Sequence, residues 1–92
     1  MNHVITHRAA DRRFEAVAGG VPAVLDYEER GSTLVFTHTF VPEHLRGRGI
    51  AAQLTEAALQ FARAHGKQVV PACSYAAAYL RKHQEYAELW AR

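Results

Sequence analysis

The hydrophobic repeat of this 92-residue chain changes period at Pro42, and that switch limits what the chain can fold into. Ahead of it, Val21, Ala23, Leu25 and Tyr27 alternate with Pro22, Val24, Asp26 and Glu28, the two-residue period of a strand with one apolar face. A shorter run, Arg13 to Ala18, precedes it across Gly19-Gly20, a pair able to take the positive φ of a two-residue hairpin turn. Arg30-Gly31 marks another turn, and Ser32 to Val41, rich in Thr, Val and Phe, follows as a third strand. The three runs predict an antiparallel meander, and Val4 to Thr6 is a candidate edge strand. Past Pro42, Ile50, Leu54, Ala57, Ala58, Phe61 and His65 recur at three- and four-residue intervals, one face of a helix that Gly66 stops. Gln68-Val69-Val70 reads as a short strand ended by Pro71. Ser74 to His83 reads as a second helix, with Ser74 as N-cap and Ala76, Tyr79, Leu80 and His83 on one face. Gln84 to Ala91 adds a last helical turn or two, from which Tyr86, Leu89 and Trp90 pack back. The fold class expected is α+β: a mostly antiparallel sheet of four or five strands with two or three helices.

A chain of this length makes one small domain, residues 1–92, in which a dimer would add buried area. Its 49% hydrophobic and 22% charged residues fit a globular protein rather than a disordered one. A formal net charge of +2 is too weak for the dense basic face of a general nucleic-acid binder. One cysteine, Cys73, excludes an internal disulfide and suits a reducing compartment. No stretch approaches the roughly 20 apolar residues that span a bilayer, and Met1 to Thr6 has no apolar run of a signal peptide. A cytoplasmic monomer or homodimer without membrane or nucleic-acid partners is expected. His3 and His7 have helical spacing, but no second ligand pair appears, so no metal site is expected.

Arg46-Gly47-Arg48-Gly49-Ile50-Ala51 lies where a strand hands over to a helix. The first N–H groups of a helix lack internal acceptors and point outward at the positive end of its dipole. Glycines let an anion approach the backbone closely, and two arginines add charge-assisted hydrogen bonds to phosphate. The loop lacks the Lys-Ser/Thr ending of a nucleoside-triphosphate loop, and it does not follow the first strand of a βαβ unit. What remains is a phosphate loop after an antiparallel meander, or, on the plainer reading, only a turn.

That combination resembles the GNAT superfamily of N-acetyltransferases. Their acetyl-CoA loop reads Arg/Gln-x-x-Gly-x-Gly/Ala, and Arg46, Gly49 and Ala51 stand at its fixed places. His38-Thr39-Phe40-Val41-Pro42 through Ala51, then Val70 to Tyr75 and Tyr79-Leu80, are similar to a short GNAT-like subgroup. The resemblance implies that strand Thr37 to Val41 splays from strand Gln68 to Pro71. The pantetheine arm of acetyl-CoA would enter that gap and pair with the backbone of Thr39, Phe40 and Val41. Backbone N–H groups of Arg46, Gly47, Arg48, Gly49, Ile50 and Ala51 would hold the pyrophosphate. The thioester would point towards His38 and Cys73, with Tyr79 lining the cofactor site. The activity implied is acetyl transfer from acetyl-CoA to an amine. The rivals are a non-catalytic acyl-CoA-binding module and, further off, a small basic adaptor. No helical pattern precedes the strands, where the superfamily usually builds its acceptor pocket, so the acceptor is expected to be large, exposed or held across a dimer interface.

Candidate chemistry follows. Cys73 stands before a helix start, where the dipole lowers a thiol's pKa; it either accepts the acetyl group or lines the pocket. His38 shares an alternation face with Leu34, Phe36 and Phe40, so it should point to the covered side of the sheet. There it would activate Cys73 or an amine, or serve as a hydrogen-bonded core residue. Tyr75 and Tyr79 fall where the superfamily places its acid for the leaving thiolate, although Tyr79 equally fits the packing face of its helix.

Overall fold

The computed structural model describes residues 4–17 and 20–91. Ala18, the end of the expected first run, and Gly19 of the expected hairpin turn lie outside the described residues, as does His3. Five strands, β1 (Ile5–Arg8), β2 (Arg13–Ala16), β3 (Ala23–Arg30), β4 (Thr33–Phe40) and β5 (Gln68–Pro71), form one sheet in that order. Pairing is antiparallel from β1 to β4 and parallel between β4 and β5. Helix α1 (Ile50–Ala64) makes the crossover that parallel pairing requires, and helix α2 (Ser74–Lys82) follows β5. A 3-10 turn, Gln84–Leu89, ends the chain, and Ala91 N–H donates to the Val69 carbonyl at 2.9 Å. The expected α+β class and mostly antiparallel sheet are what the chain adopts.

Two local expectations need correction. The meander's first connection is no two-residue turn, because pairing stops at Ala16↔Ala23 and leaves residues 17–22 between the strands. Pro22 has no N–H to donate to the ladder at that point. The cap of α2 is Cys73 rather than Ser74: its Sγ accepts the Ala76 N–H at 3.4 Å.

One apolar face of the sheet supplies half the core. Phe14, Ala16, Ala23, Leu25, Tyr27, Leu34, Phe36 and Val69 are buried there, against Leu54, Ala58, Leu59 and Ala62 of α1, Leu80 of α2 and Tyr86 of the last turn. The buried stripe of α1 is rotated slightly from the one the sequence predicts: Leu59 and Ala62 are buried, Ala57 and Phe61 only partly so, and His65 is exposed. The helix ends as a glycine stop should. Gly66 sits at φ +65°, with Gly66 N–H on Arg63 O at 3.3 Å and Lys67 N–H on Ala62 O at 2.8 Å, the paired bonds of a Schellman cap.

The edge strand β1 is held by His7. Its ring stacks on Phe14 at 4.1 Å, meets Phe61 edge-on at 4.5 Å, and its Nε2 shares a 2.7 Å hydrogen bond with the Tyr27 hydroxyl. Burial pushes the His7 pKa below its ordinary 6.5, and nearby His65 pushes it the same way. A base whose pKa is lowered on folding binds more protons unfolded, so its stabilisation is complete above the unfolded value and lost as pH falls below 6.5. His7→Phe should keep the stacking and flatten the stability curve between pH 7 and the acid limb, measured by urea denaturation. An unchanged acid slope would place the titrating group elsewhere.

Candidate functional site

The site starts with an irregularity in β4. The register runs Glu29↔Leu34 and Tyr27↔Phe36, then resumes as Asp26↔His38, Leu25↔Thr39 and Val24↔Phe40. Thr37 is therefore an extra residue, a β-bulge, and its hydroxyl donates to the Asp26 carbonyl at 3.2 Å. A single extra residue swaps the two faces of everything beyond it. Thr39 joins Leu25 on the core side, whereas His38 and Phe40 join Asp26 and Val24 on the outer side. The expected face of Leu34, Phe36, His38 and Phe40 thus breaks after Phe36, and His38 is exposed on the side away from the helices.

The second feature is a parting of strands. The β4–β5 ladder ends at Phe36↔Pro71, while β4 runs on to Phe40. Past Pro71 the chain turns aside: Ala72 N–H bonds Val70 O at 3.0 Å and Cys73 N–H bonds Phe36 O at 3.0 Å. Among the described residues no strand pairs with Thr37 to Phe40 on the β5 side, so an extended ligand can complete the ladder there. Thr39 Oγ1 and Cys73 Sγ lie 3.4 Å apart across this gap. Of the candidates named from sequence, the fold brings Thr39 and Cys73 together and leaves His38 facing away from both.

The third feature is the loop. After a 3-10 turn, Glu43–Leu45, Arg46 is extended, and Gly47 and Gly49 take φ +79° and +75°. α1 begins at Ile50 with Gly49 as N-cap, no side chain capping it and no acidic residue in its first turn. The free N–H groups of a 15-residue helix therefore point out through a glycine mouth flanked by two arginines. Arg46 Nε is anchored on the Val41 carbonyl at 3.1 Å, which leaves its terminal nitrogens to face a ligand. Arg48 is exposed, with no ion pair among the described residues. A pocket of about 150 Å³ opens here, lined by Val41, Leu45, Arg46, Gly47, Gly49, Ile50, Ala51, Ala52 and Tyr75.

Tyr75 and Tyr79 project from successive turns of α2, with ring centroids 6.3 Å apart. Burial, then the Glu56 carboxylate, pushes the Tyr79 pKa up to about 12, so its hydroxyl keeps its proton. Burial also raises Tyr75. Sequence reasoning missed Tyr75 as a wall of the anion pocket, and also Ala52 and Leu45; none carries a motif, and only the packing of α2 against the start of α1 reveals them. Among the described residues there is no group of three or more His, Cys, Asp or Glu able to hold a metal. No helix among them is long and apolar enough to cross a membrane.

Comparison with known proteins agrees with this geometry. The family model described as GCN5-related N-acetyl-transferase matches residues 13–89. Protein NATD1 from Mus musculus is 35% identical over 82 residues, covering 86% of this chain and 74% of its own length. The Homo sapiens protein of the same name is also 35% identical over 82 residues, covering 73% of its length. A GCN5-like protein from Staphylococcus aureus, solved in solution by NMR, superimposes with a TM-score of 0.78 at 22% identity, over 98% of this chain and 89% of that one.

A Cβ built on Gly49 meets nothing within 4 Å, so within the chain itself only its positive φ of +75° calls for glycine there. Gly49→Ala should cost about 1–2 kcal/mol of stability in the ligand-free protein, the penalty of a left-handed non-glycine residue. Chemical denaturation measures it. No loss would mean that the loop holds its shape without a glycine at this position.

Proposed function

Since the chain belongs to the GCN5-related N-acetyltransferase family, we propose that it binds acetyl-CoA and passes the acetyl group to an amine. The observation carrying this reading is the alignment of two open hydrogen-bonding surfaces. The uncapped start of α1 behind Gly47 and Gly49 suits a pyrophosphate, and the unpaired edge of β4 suits the amides of a pantetheine arm. The loop Arg46 to Ala51 holds the phosphates, the backbone of Thr39, Phe40 and Val41 guides the arm, and the thioester comes to rest by Cys73. Tyr79 closes the cofactor site from α2.

The amine must reach the carbonyl carbon deprotonated, and the departing thiolate must gain a proton. His38 faces the outer side of the sheet, so its proposed role is to take the proton from an amine approaching there, not to activate Cys73. The thiolate is protonated by a tyrosine of α2, Tyr75 or Tyr79, both held neutral by burial. Two routes for the acetyl group differ in their bonds. In direct transfer the amine nitrogen bonds the carbonyl carbon as the carbon–sulfur bond to CoA breaks. In the covalent route Cys73 Sγ forms that bond first, CoA leaves as the thiol, and the amine later displaces Cys73. The Sγ already accepts the Ala76 N–H and contacts Thr39 Oγ1, both at 3.4 Å, which favours a pocket-lining thiol and direct transfer. The reading places the protein in the cytoplasm, where acetyl-CoA and a reduced Cys73 coexist.

Acetyl-CoA at a hundredfold excess over Kd should stabilise the fold by about 2.7 kcal/mol, read from the shift of the melting curve. No shift at millimolar acetyl-CoA contradicts the proposal. For the route, Cys73→Ala should retain acetyl transfer to an amine panel, followed by mass spectrometry. If Cys73→Ala binds but no longer transfers, and the unaltered protein carries a hydroxylamine-labile acetyl group that passes to amine at the steady-state rate, the covalent route is the correct one.

A further inference from the structure

On the sheet face turned away from the helices, β4 and β5 present Val35 and Val70, directly paired in register. Past the bulge the same face carries His38 and Phe40, and Val24 stands opposite Phe40 on β3. Paired side chains lie roughly 5 Å apart, and same-face neighbours along a strand roughly 7 Å. Val70 is 36% and Phe40 40% exposed. An apolar strip therefore borders the β4–β5 gap with His38 in its middle. His38 is exposed, and its side chain has no partner among the described residues. The carboxylates of this face are already taken. Asp26, paired in register with His38, holds Arg13 at 2.7 Å, and Glu28, beside Val35, holds Arg30 at 2.6 Å. Glu15, beside Val24, lies 3.7 Å from Arg8 and 3.9 Å from Arg13. An ammonium group arriving here meets apolar surface and no carboxylate without its arginine.

That balance decides which amines the face can use, because only a neutral amine has a lone pair to attack with. A free carboxylate would hold the ammonium form, whereas an apolar surface penalises the charge and lowers the amine's pKa. Resting on the acetyl-CoA reading above, we propose that the strip of Val35, Val70 and Phe40 seats the acceptor, a primary amine on an uncharged apolar body, such as an arylalkylamine. Its nitrogen lies between His38 and the gap. The nitrogen bonds the acetyl carbon as the carbon–sulfur bond to CoA breaks. The proton lost from nitrogen passes to the His38 imidazole, and the departing thiolate takes its proton from a tyrosine of α2. The Arg13–Asp26 pair sharpens the choice by keeping a carboxylate away from the amine, so polyamines and lysine-rich peptides gain nothing from charge.

Acetyl transfer to phenethylamine, spermidine and a lysine-rich peptide, followed by mass spectrometry, tests this on three proteins. The unaltered protein should favour phenethylamine over the other two in kcat/KM, by roughly tenfold. Val35→Thr with Val70→Thr keeps the β-branched shape and removes two apolar contacts. It should raise KM for phenethylamine roughly tenfold and leave acetyl-CoA affinity, read by calorimetry, unchanged. Arg13→Gln frees Asp26 and should raise kcat/KM for spermidine about two- to fivefold, the range of an exposed charge pair. A preference of the unaltered protein for spermidine or the peptide, or a KM for phenethylamine indifferent to the double substitution, overturns the strip. No gain for spermidine in Arg13→Gln overturns the part given to Arg13. The acetyl-CoA reading survives each of these. Amide shifts of the CoA-saturated protein titrated with phenethylamine separate the two: shifts at residues 35, 38, 40 and 70 without transfer to any amine keep the seat and overturn the acetyl-transfer reading. Neither shifts nor transfer overturns the seat as well.

Discussion

The extra residue in β4 sets the geometry on which the rest of the site depends. Up to Phe36, β4 is an ordinary inner strand, paired on both sides and packed by Leu34 and Phe36 into the core. Inserting Thr37 shifts the strand's alternation by one and increases its twist, as bulges do. The bulge and the turn of the chain after Pro71 act side by side. The face change carries Thr39 inward, where its hydroxyl meets Cys73, and the ladder to β5 ends at Phe36↔Pro71. A regular β4 would turn His38 to the core side and Thr39 away from Cys73.

The loop and the helix complete what the bulge begins. Strand pairing fixes β4, the crossover fixes α1 over the sheet, and the connection delivers the helix start beside the open edge. An anion bound at the uncapped N–H groups and an extended chain laid along β4 are then neighbours by construction. The apolar strip around His38 borders the same open edge from the outer face. Each part uses unmet hydrogen-bonding capacity or exposed apolar surface rather than a deep enclosed cavity. That suits a small chain, which cannot bury enough surface to build one.

The parts of this arrangement visible in the sequence are those governed by short-range rules. The alternation of Ala23, Leu25 and Tyr27, the helical spacing of Leu54 and Ala58, the stop at Gly66 and the loop Arg46 to Ala51 each follow from periodicity or glycine chemistry. The family resemblance rested on the same loop together with the stretches His38 to Pro42, Val70 to Tyr75 and Tyr79-Leu80. Residues whose role depends on register were not legible: Thr37-His38-Thr39 is a run of ordinary strand formers, and nothing in it announces a bulge. His38 was therefore assigned to the wrong face, and Thr39 entered only through the resemblance to GNAT proteins. Tyr75 was hidden for a different reason, since its place beside Ala52 comes from packing between elements more than twenty residues apart in sequence. Cys73 was placed correctly at a helix start, but its part as the cap itself depends on backbone geometry that Ser74 could have matched on composition alone.

The central claim is that a pyrophosphate sits on the start of α1 while an extended arm completes the edge of β4. Amide chemical shifts followed during titration with acetyl-CoA test both halves at once. Large shifts at residues 46–51, with further shifts at residues 37–40 and Cys73, are the result the account predicts. Shifts confined to residues away from the loop and the β4 edge, or none at saturating acetyl-CoA, would contradict it.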